Sequence, residues 1–280
     1  MNSILILLIV GILAGVIGSL LGLGGGMIVT PILTMMMGLD IKYAIGASVI
    51  SVIATSSGAS IAYLKDDMLN LRVAMFLEIA TTVGAISGAL LAGVFSASVL
   101  YVLFGVLLAY SAINMVFKLV KNQKDVVNIA NDNLSTKLKL NGSYYDKTTN
   151  EQIDYSVTHV PGGFLMMIGA GLASGLLGIG SGAFKVIAMD SIMKMPLKPS
   201  SATSNLMMGV TAAASATVYF FSGAIKPEIA APLAIGVLVG ATIGSRIMQH
   251  LSSRVIRMIF VPIIIFMGVQ MILKGFGINI

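Results

Sequence analysis

The sequence predicts an all-α polytopic membrane protein made of two inverted repeats, each with about five hydrophobic segments. Only 10% of the 280 residues are charged, whereas 57% are hydrophobic; in a soluble domain about a quarter of the residues are charged. Uncharged apolar runs occur five times, stop at a polar stretch, and occur five times again. So few charged residues cannot form a polar surface, which excludes a soluble enzyme, a nucleic-acid binder and a disordered regulator.

The apolar runs divide the chain into a first membrane repeat (1–117), a polar insert (118–160) and a second membrane repeat (161–280). A spanning helix needs about 20 apolar residues, and the second run of each repeat is much shorter than that. No basic residue precedes the first run, so we interpret it as a span rather than a cleaved signal. The runs are Ile4–Leu21, Met27–Met37, Ala44–Leu64, Val73–Phe95, Val99–Phe117, Gly162–Leu177, Ala183–Met193, Ser201–Phe221, Ile229–Ile247 and Val255–Leu273.

The two repeats align without a gap over roughly 100 residues when the chain is shifted by 156 positions, a sign of internal duplication. Matches between apolar residues are expected by chance in such an apolar chain, so the informative matches are those between glycines and between polar residues. The matched pairs are Gly15 with Gly171, Gly22 with Gly178, Gly24 with Gly180, Gly26 with Gly182, Lys42 with Lys198, Ser48 with Ser204, Thr55 with Thr211, Tyr63 with Tyr219, Gly84 with Gly240, Gly88 with Gly244 and Ser96 with Ser252.

Lysine and arginine positions predict the orientation. If all ten segments cross, each repeat crosses an odd number of times, so the repeats are inverted. Thirteen of the 17 basic residues then lie on one side, Lys42, Lys226 and Lys274 lie on the other, and Lys185 lies inside a segment and is not counted. If the short segments are re-entrant, one side of the membrane carries six basic residues and the other carries ten. The positive-inside rule prefers the first arrangement, with the insert cytoplasmic and both termini outside the cell membrane.

A glycine cluster precedes each short segment, and these clusters are the strongest candidate for a binding site. Glycine interrupts a helix and permits positive φ, and irregular backbone at membrane depth is tolerated only against protein or a wet cavity. We therefore expect two broken hairpins whose helix N-termini converge and bind an anion through backbone amides. The alternative is that the glycines only permit tight helix packing, the role we expect for Gly84 and Gly88. The predicted ligands here are Gly24, Gly25, Gly26, Gly180, Ser181 and Gly182.

Polar side chains at membrane depth supply the remaining candidates. Lys185 is predicted to face an anionic substrate, or else to pair with a carboxylate or extend to the interface. Glu78 is a candidate for accepting a coupling proton, or else makes a structural hydrogen bond. Short polar side chains that can donate hydrogen bonds to an anion begin the third segment of each repeat, namely Ser48, Thr203, Ser204 and Asn205.

The insert is predicted to be a small β-ribbon. Residues 137–140 alternate in polarity, Asn141 and Gly142 favour a hairpin turn, Ser143–Asp146 follows as a strand, and 151–159 adds another. We interpret it as a cytoplasmic stiffener, with regulation or partner docking as the alternative.

Enzymatic chemistry is not expected. The only histidines, His159 and His250, form no motif, cysteine is absent, and no phosphate-binding loop follows a strand. The 19 methionines favour packing over metal transport. We therefore predict no cofactor, no metal site and no nucleic-acid partner; the bilayer and a small anion are the expected partners, and a homodimer is left open.

The doubled motif resembles the TauE/SafE family of sulfite and sulfonate exporters. Its first copy is Gly15-Val-Ile-Gly18-Ser-Leu-Leu-Gly22-Leu-Gly24-Gly25-Gly26, with Pro31 and the run Ala44–Ser48 after it. Its second copy spans Gly171–Gly182 and Ser201–Ser204, with Ser181 in place of Gly25 and Ile187 in place of Pro31. The resemblance implies export of sulfite or an organosulfonate, and the two inverted hairpins predict that export occurs by alternating access. The alternatives are an anion channel, or a cation or metal carrier that uses Glu78 and Asp190.

Overall fold

The computed structural model describes residues 2–21, 24–65, 67–120, 132–146, 149–248, 250–251 and 253–278. Eleven α-helices dominate this part of the chain, which confirms the predicted all-α class. They are α1 (Asn2–Leu21), α2 (Gly26–Met36), α3 (Ile41–Lys65), α4 (Leu71–Ala92), α5 (Ala97–Val120), α6 (Asn133–Lys137), α7 (Val160–Leu177), α8 (Gly182–Ile187), α9 (Leu197–Phe221), α10 (Pro227–Met248) and α11 (Ser253–Gly275).

Five of these helices are long and apolar enough to cross a membrane. They fall within α3, α4, α5, α7 and α10, and α1, α2 and α11 contribute shorter apolar stretches. Large apolar side chains such as Met75, Ile79 and Phe221 are exposed on the outer surface of the bundle. A helical bundle with an apolar exterior is what a multi-pass membrane protein requires.

The helices pair symmetrically, and each repeat contributes its fourth helix to the other repeat. Helix α4 packs most extensively against α7 and also against α9, whereas its counterpart α10 packs against α1 and α3. The third helices, α3 and α9, pack against each other, as do the fifth helices, α5 and α11. The repeat seen in the sequence is therefore also a repeat in three dimensions, although its predicted inversion across the membrane stays a prediction.

Glycines allow the fourth helices to approach their partners closely. A methyl group placed on Gly84 would lie 2.3 Å from the carbonyl oxygen of Ile168, and one on Gly88 would lie 2.1 Å from that of Leu172. At the equivalent crossing, a methyl on Gly240 would lie 2.1 Å from the carbonyl oxygen of Ile12. Any side chain here would push the helices apart, so Gly84 and Gly88 have the packing role predicted for them.

Two equivalent tyrosines fasten the third helix of each repeat to the first. The Tyr63 hydroxyl donates a hydrogen bond to the carbonyl oxygen of Ser19 at 2.9 Å. The Tyr219 hydroxyl donates to the carbonyl oxygen of Gly175 at 2.5 Å. Both tyrosines are buried, and each hydroxyl satisfies a carbonyl near the end of a helix, where intrahelical partners run out.

The short segments differ between the repeats. The first is one helix, α2, with Pro31 inside it. The second begins as α8 and continues as a π-helical turn over Ala188–Ile192, within the short segment predicted over 183–193. π-helical turns are rare and often lie near functional sites.

The insert contains the predicted ribbon, but its turn lies elsewhere. Strands β1 (Gly142–Asp146) and β2 (Glu151–Tyr155) pair antiparallel, and the predicted turn at Asn141–Gly142 is wrong because Gly142 already begins β1 and residue 137 ends α6. The Asn141 side-chain oxygen instead accepts hydrogen bonds from Ser135 and from the backbone of Val157, so this asparagine ties the base of the ribbon together. Residues 121–131 and 147–148 of the insert lie outside the described residues.

Candidate functional site

The two glycine clusters meet inside the bundle. A methyl group placed on Gly26 would lie 2.5 Å from the Ser48 hydroxyl oxygen and 2.8 Å from the carbonyl oxygen of Gly178. All described members of both clusters are buried; Gly22, predicted as part of the first, lies outside the described residues. The chain therefore brings together two segments that are about 150 residues apart in sequence, as the expected convergence requires.

Val52 and Met208 lie between the clusters. Gly24 and Gly180 both have positive φ, +75° and +72°, a conformation that favours glycine. A methyl group on Gly24 would lie 3.0 Å from the Met208 sulfur, and one on Gly180 would lie 2.6 Å from a methyl of Val52. Because Val52 and Met208 occupy equivalent positions in the two repeats, the clusters face a symmetric apolar pair.

Serines on the third helices hold the carbonyl groups of the second cluster. The Ser48 hydroxyl donates to the carbonyl oxygen of Gly178 at 2.7 Å, and the Ser204 hydroxyl donates to that of Gly182 at 3.3 Å. In the first cluster, the Gly25 amide donates to the Thr55 hydroxyl at 3.1 Å. These bonds fix the loop backbones and partly neutralise carbonyl oxygens that would repel an anion.

Ser181 carries a free hydroxyl at this centre. It has φ +49° and is fully buried, and its side-chain oxygen has no hydrogen-bond partner among the described residues. A buried hydroxyl without a partner is costly and calls for an explanation, such as an unseen ligand or water. Its counterpart in the first repeat is Gly25, so this donor belongs to the second repeat alone.

Lys185 pairs with Glu78 through Thr211. The ammonium group of Lys185 lies 3.6 Å from a Glu78 carboxylate oxygen and donates a hydrogen bond to the Thr211 hydroxyl. Thr211 donates to the other Glu78 oxygen at 2.5 Å, and Thr82 donates to that same oxygen at 3.3 Å. Lys185 is fully buried and the Glu78 side chain is 12% exposed. The carboxylate alternative considered for Lys185 is therefore the contact that the structure shows.

This polar group has no equivalent in the other repeat. The positions that match Glu78 and Lys185 are Ala234 and Val29, both apolar. Thr211 does have a counterpart, Thr55, which accepts the amide of Gly25. Sequence reasoning missed Thr211, although its recurrence at the 156-residue offset was the signal that could have found it.

Thr203 and Asn205 form hydrogen bonds within the protein, and their predicted contact with an anion stays a prediction. The Thr203 hydroxyl accepts a hydrogen bond from the Asn70 backbone at 3.1 Å. The Asn205 amide nitrogen donates to the carbonyl oxygens of Ser19 and Ser201, and its oxygen has no partner among the described residues. A free oxygen accepts hydrogen bonds and does not stabilise an anion. Helix α9 begins at Leu197, so both residues lie inside the helix rather than at its start.

Asn70 connects helices α4 and α9 to the insert, and no sequence motif pointed to it. Its side-chain oxygen caps α4 by accepting the Val73 amide at 3.1 Å. Its side-chain nitrogen donates to the carbonyl oxygen of Leu140 at 2.7 Å and to the Tyr155 hydroxyl at 3.2 Å. Burial raises the pKa of Tyr155 to about 12, because the phenolate form would lose its hydration.

A membrane bundle in which two interrupted hairpins meet at a buried polar centre has the architecture of a membrane transporter. The chain matches the family "Sulfite exporter TauE/SafE" over residues 7–271. It therefore belongs to that family.

Curated relatives agree with this class. The chain is 25% identical to the probable membrane transporter protein YunE of Bacillus subtilis, over 98% of both chains. It is 27% identical to a probable membrane transporter protein of Methanocaldococcus jannaschii, over 96% of this chain and 95% of the relative. No solved structure matches the chain significantly.

Proposed function

We propose that this protein is a secondary transporter that exports a small anion, sulfite or an organosulfonate. The observation that carries the proposal is the meeting of the two glycine clusters, the second of which includes the buried hydroxyl of Ser181 that has no hydrogen-bond partner in the described part of the chain. Helix α2 begins at the end of the first cluster, so its N-terminal amides add a partial positive charge there. Ser48 and Ser204 also favour an anion, because their hydroxyl groups donate hydrogen bonds to carbonyl oxygens that would otherwise repel it.

Glu78 and Lys185 provide a means of coupling anion movement to a proton. In the structure the Glu78 carboxylate balances the buried ammonium of Lys185. When Glu78 takes up a proton, Lys185 is left with an uncompensated charge in a site of low polarity, and an anion can restore neutrality. A proton and an anion would then bind and move together, with Thr211 linking the two side chains.

Purified protein in lipid vesicles tests the proposal against a panel of sulfite, sulfate, thiosulfate, taurine and sulfoacetate. A carrier gives saturable flux that is accelerated by unlabelled substrate on the opposite side. Flux of an anion without saturation or acceleration would identify a channel. Flux of a cation with no response to any anion would overturn the assignment.

A further inference from the structure

A cavity lies at the end of the bundle opposite the insert. The insert contacts the N-terminal ends of α4 and α9, through Asn70 and Lys198. The cavity, of about 580 Å³, lies among the start of α3, the C-terminal ends of α4 and α9, and the start of α5. Its volume is in the range of sites for small molecules.

The floor of the cavity touches the second glycine cluster. Ile45 and Tyr219 line the cavity and are both buried. A methyl group placed on Gly178 would lie 2.7 Å from an Ile45 side-chain carbon. The Tyr219 hydroxyl donates to the carbonyl oxygens of Gly175 and Leu176, just before Gly178. Ile45 therefore separates the cavity from the carbonyl group that Ser48 holds at the centre.

The mouth of the cavity has an excess of positive charge. Lys42 lines it, and the Lys226 ammonium lies 3.9 Å from the ring centroid of Tyr43, another lining residue. Asp40, the carboxylate among the lining residues, accepts the Lys42 backbone amide at 2.8 Å. Two ammonium groups against one carboxylate attract an anion, and the attraction is strongest at low ionic strength.

The walls of the cavity are apolar, unlike its mouth. They are formed by Ala89, Leu90, Leu100, Val218 and Ala224. A bare oxyanion gains nothing from such walls, whereas an anion with a short hydrocarbon part can bury that part against them.

We propose that this cavity is an exit vestibule that binds a small organic sulfonate after it has passed Ile45 and Tyr219. The proposal rests on the transport function proposed above and narrows its substrate to an anion with an apolar tail. Lys42 attracts the sulfonate group, and Tyr219 and Ile45 close the passage to the glycine clusters.

The natural absence of cysteine allows a direct test by cysteine labelling. Ser222→Cys places a thiol in the lining, and Ser96→Cys places a matched exposed thiol at the same end but outside it. Each variant is labelled in vesicles with an anionic and a cationic methanethiosulfonate of similar size. We expect the ratio of anionic to cationic labelling rates to be about fivefold higher at position 222 than at 96, because one positive unit charge about 8 Å away in water attracts one reagent and repels the other.

Two further measurements complete the test. Lys42→Gln should remove the fivefold preference, whereas Lys137→Gln, which neutralises an exposed lysine in the insert, should leave it unchanged. Ethanesulfonate should slow the labelling of the cysteine at position 222 at concentrations at which sulfate does not. It should not slow the labelling of the cysteine at position 96. Equal rate ratios at the two positions, or no protection by ethanesulfonate, would overturn the vestibule.

Failure of the vestibule and failure of transport give different results. Labelling reports occupancy of the cavity and needs no flux. Anion flux in vesicles without protection at position 222 would refute the vestibule and leave the transport function standing. Protection at position 222 without any anion flux would refute the transport function and support the binding site.

Discussion

The ammonium group of Lys185 lies 3.6 Å from the carboxylate of Glu78, so the short helix α8 of the second repeat is joined to the fourth helix of the first. Both groups lie in the apolar interior, with Thr211 bonded to each. Neither charge is stable there without the other.

Removing one member of this pair should therefore destabilise the protein more than removing both. We expect Lys185→Met or Glu78→Leu alone to lower the free energy of unfolding by about 3–5 kcal/mol. The double variant, Glu78→Leu with Lys185→Met, should recover most of that loss because it leaves no unpaired charge. Thermal unfolding in detergent, followed by loss of monodisperse protein, measures all three. A double variant no more stable than either single variant would refute the pairing.

Gly26→Ala should abolish transport. The new methyl group would lie 2.5 Å from the Ser48 oxygen and 2.8 Å from the Gly178 carbonyl oxygen, so the two clusters would have to separate. Gly169→Ala is the matched control, because no atom outside its own helix lies within 4 Å of the added methyl. Flux in vesicles and monodispersity in detergent are measured together; folded Gly26→Ala protein with full flux would show that the close approach is not needed.

Gly175→Ala should weaken the crossing of α4 with α7. A methyl group at Gly175 would lie 1.9 Å from the carbonyl oxygen of Ala85, and such overpacking costs about 1–3 kcal/mol or more. We expect a lower yield of folded protein and a lower unfolding temperature than for Gly169→Ala. An unchanged unfolding temperature would mean that the helices separate here at little cost.

Breaking the ion pair between Lys198 and Asp146 should release the insert from the bundle. The two charged atoms lie 2.7 Å apart and are nearly inaccessible to solvent. Asp146→Asn removes the carboxylate charge that balances this buried ammonium group, at a cost of about 3 kcal/mol, and should increase amide hydrogen exchange in β1 and β2. Asp154→Asn, in the same ribbon, is the control. Equal exchange in the two variants would argue against an anchoring role.

The docking of Tyr155 should be sensitive only to strongly alkaline conditions. Its folded pKa is raised to about 12, above the ordinary value of about 10, so folding favours the protonated form. This contribution is complete below about pH 10 and is lost as the pH rises through 12. Hydrogen exchange of β2 measured against pH should show the loss, and Tyr155→Phe should remove that pH dependence.

The sequence predicted the helical class, the repeat and the meeting of the glycine clusters, because each leaves a periodic or repeated pattern. It did not predict the partner of Lys185, because Glu78 is 107 positions away and no spacing rule links the two. The sequence also did not predict that α4 and α10 each pack against helices of the other repeat. Gly84 and Gly240 indicate a close helix crossing, but they do not identify the partner helix.

The ribbon shows the limit of local reasoning. Asn141-Gly142 is a strong turn sequence, but its asparagine bonds to Ser135 and Val157 instead. The contacts of Asn70 could not be predicted for a similar reason. A single asparagine before a helix predicts a helix cap, but it does not predict hydrogen bonds to Leu140, Tyr155 or Thr203.

The exchanged fourth helices have a consequence for synthesis and for motion. When the ribosome has finished the first repeat, α4 still lacks α7 and α9, so the first half must wait in the bilayer for the second before it can complete its packing. From the extent of helix packing, we expect the units that move as rigid bodies to combine both repeats, one joining α1, α2 and α3 with α10, the other joining α7, α8 and α9 with α4.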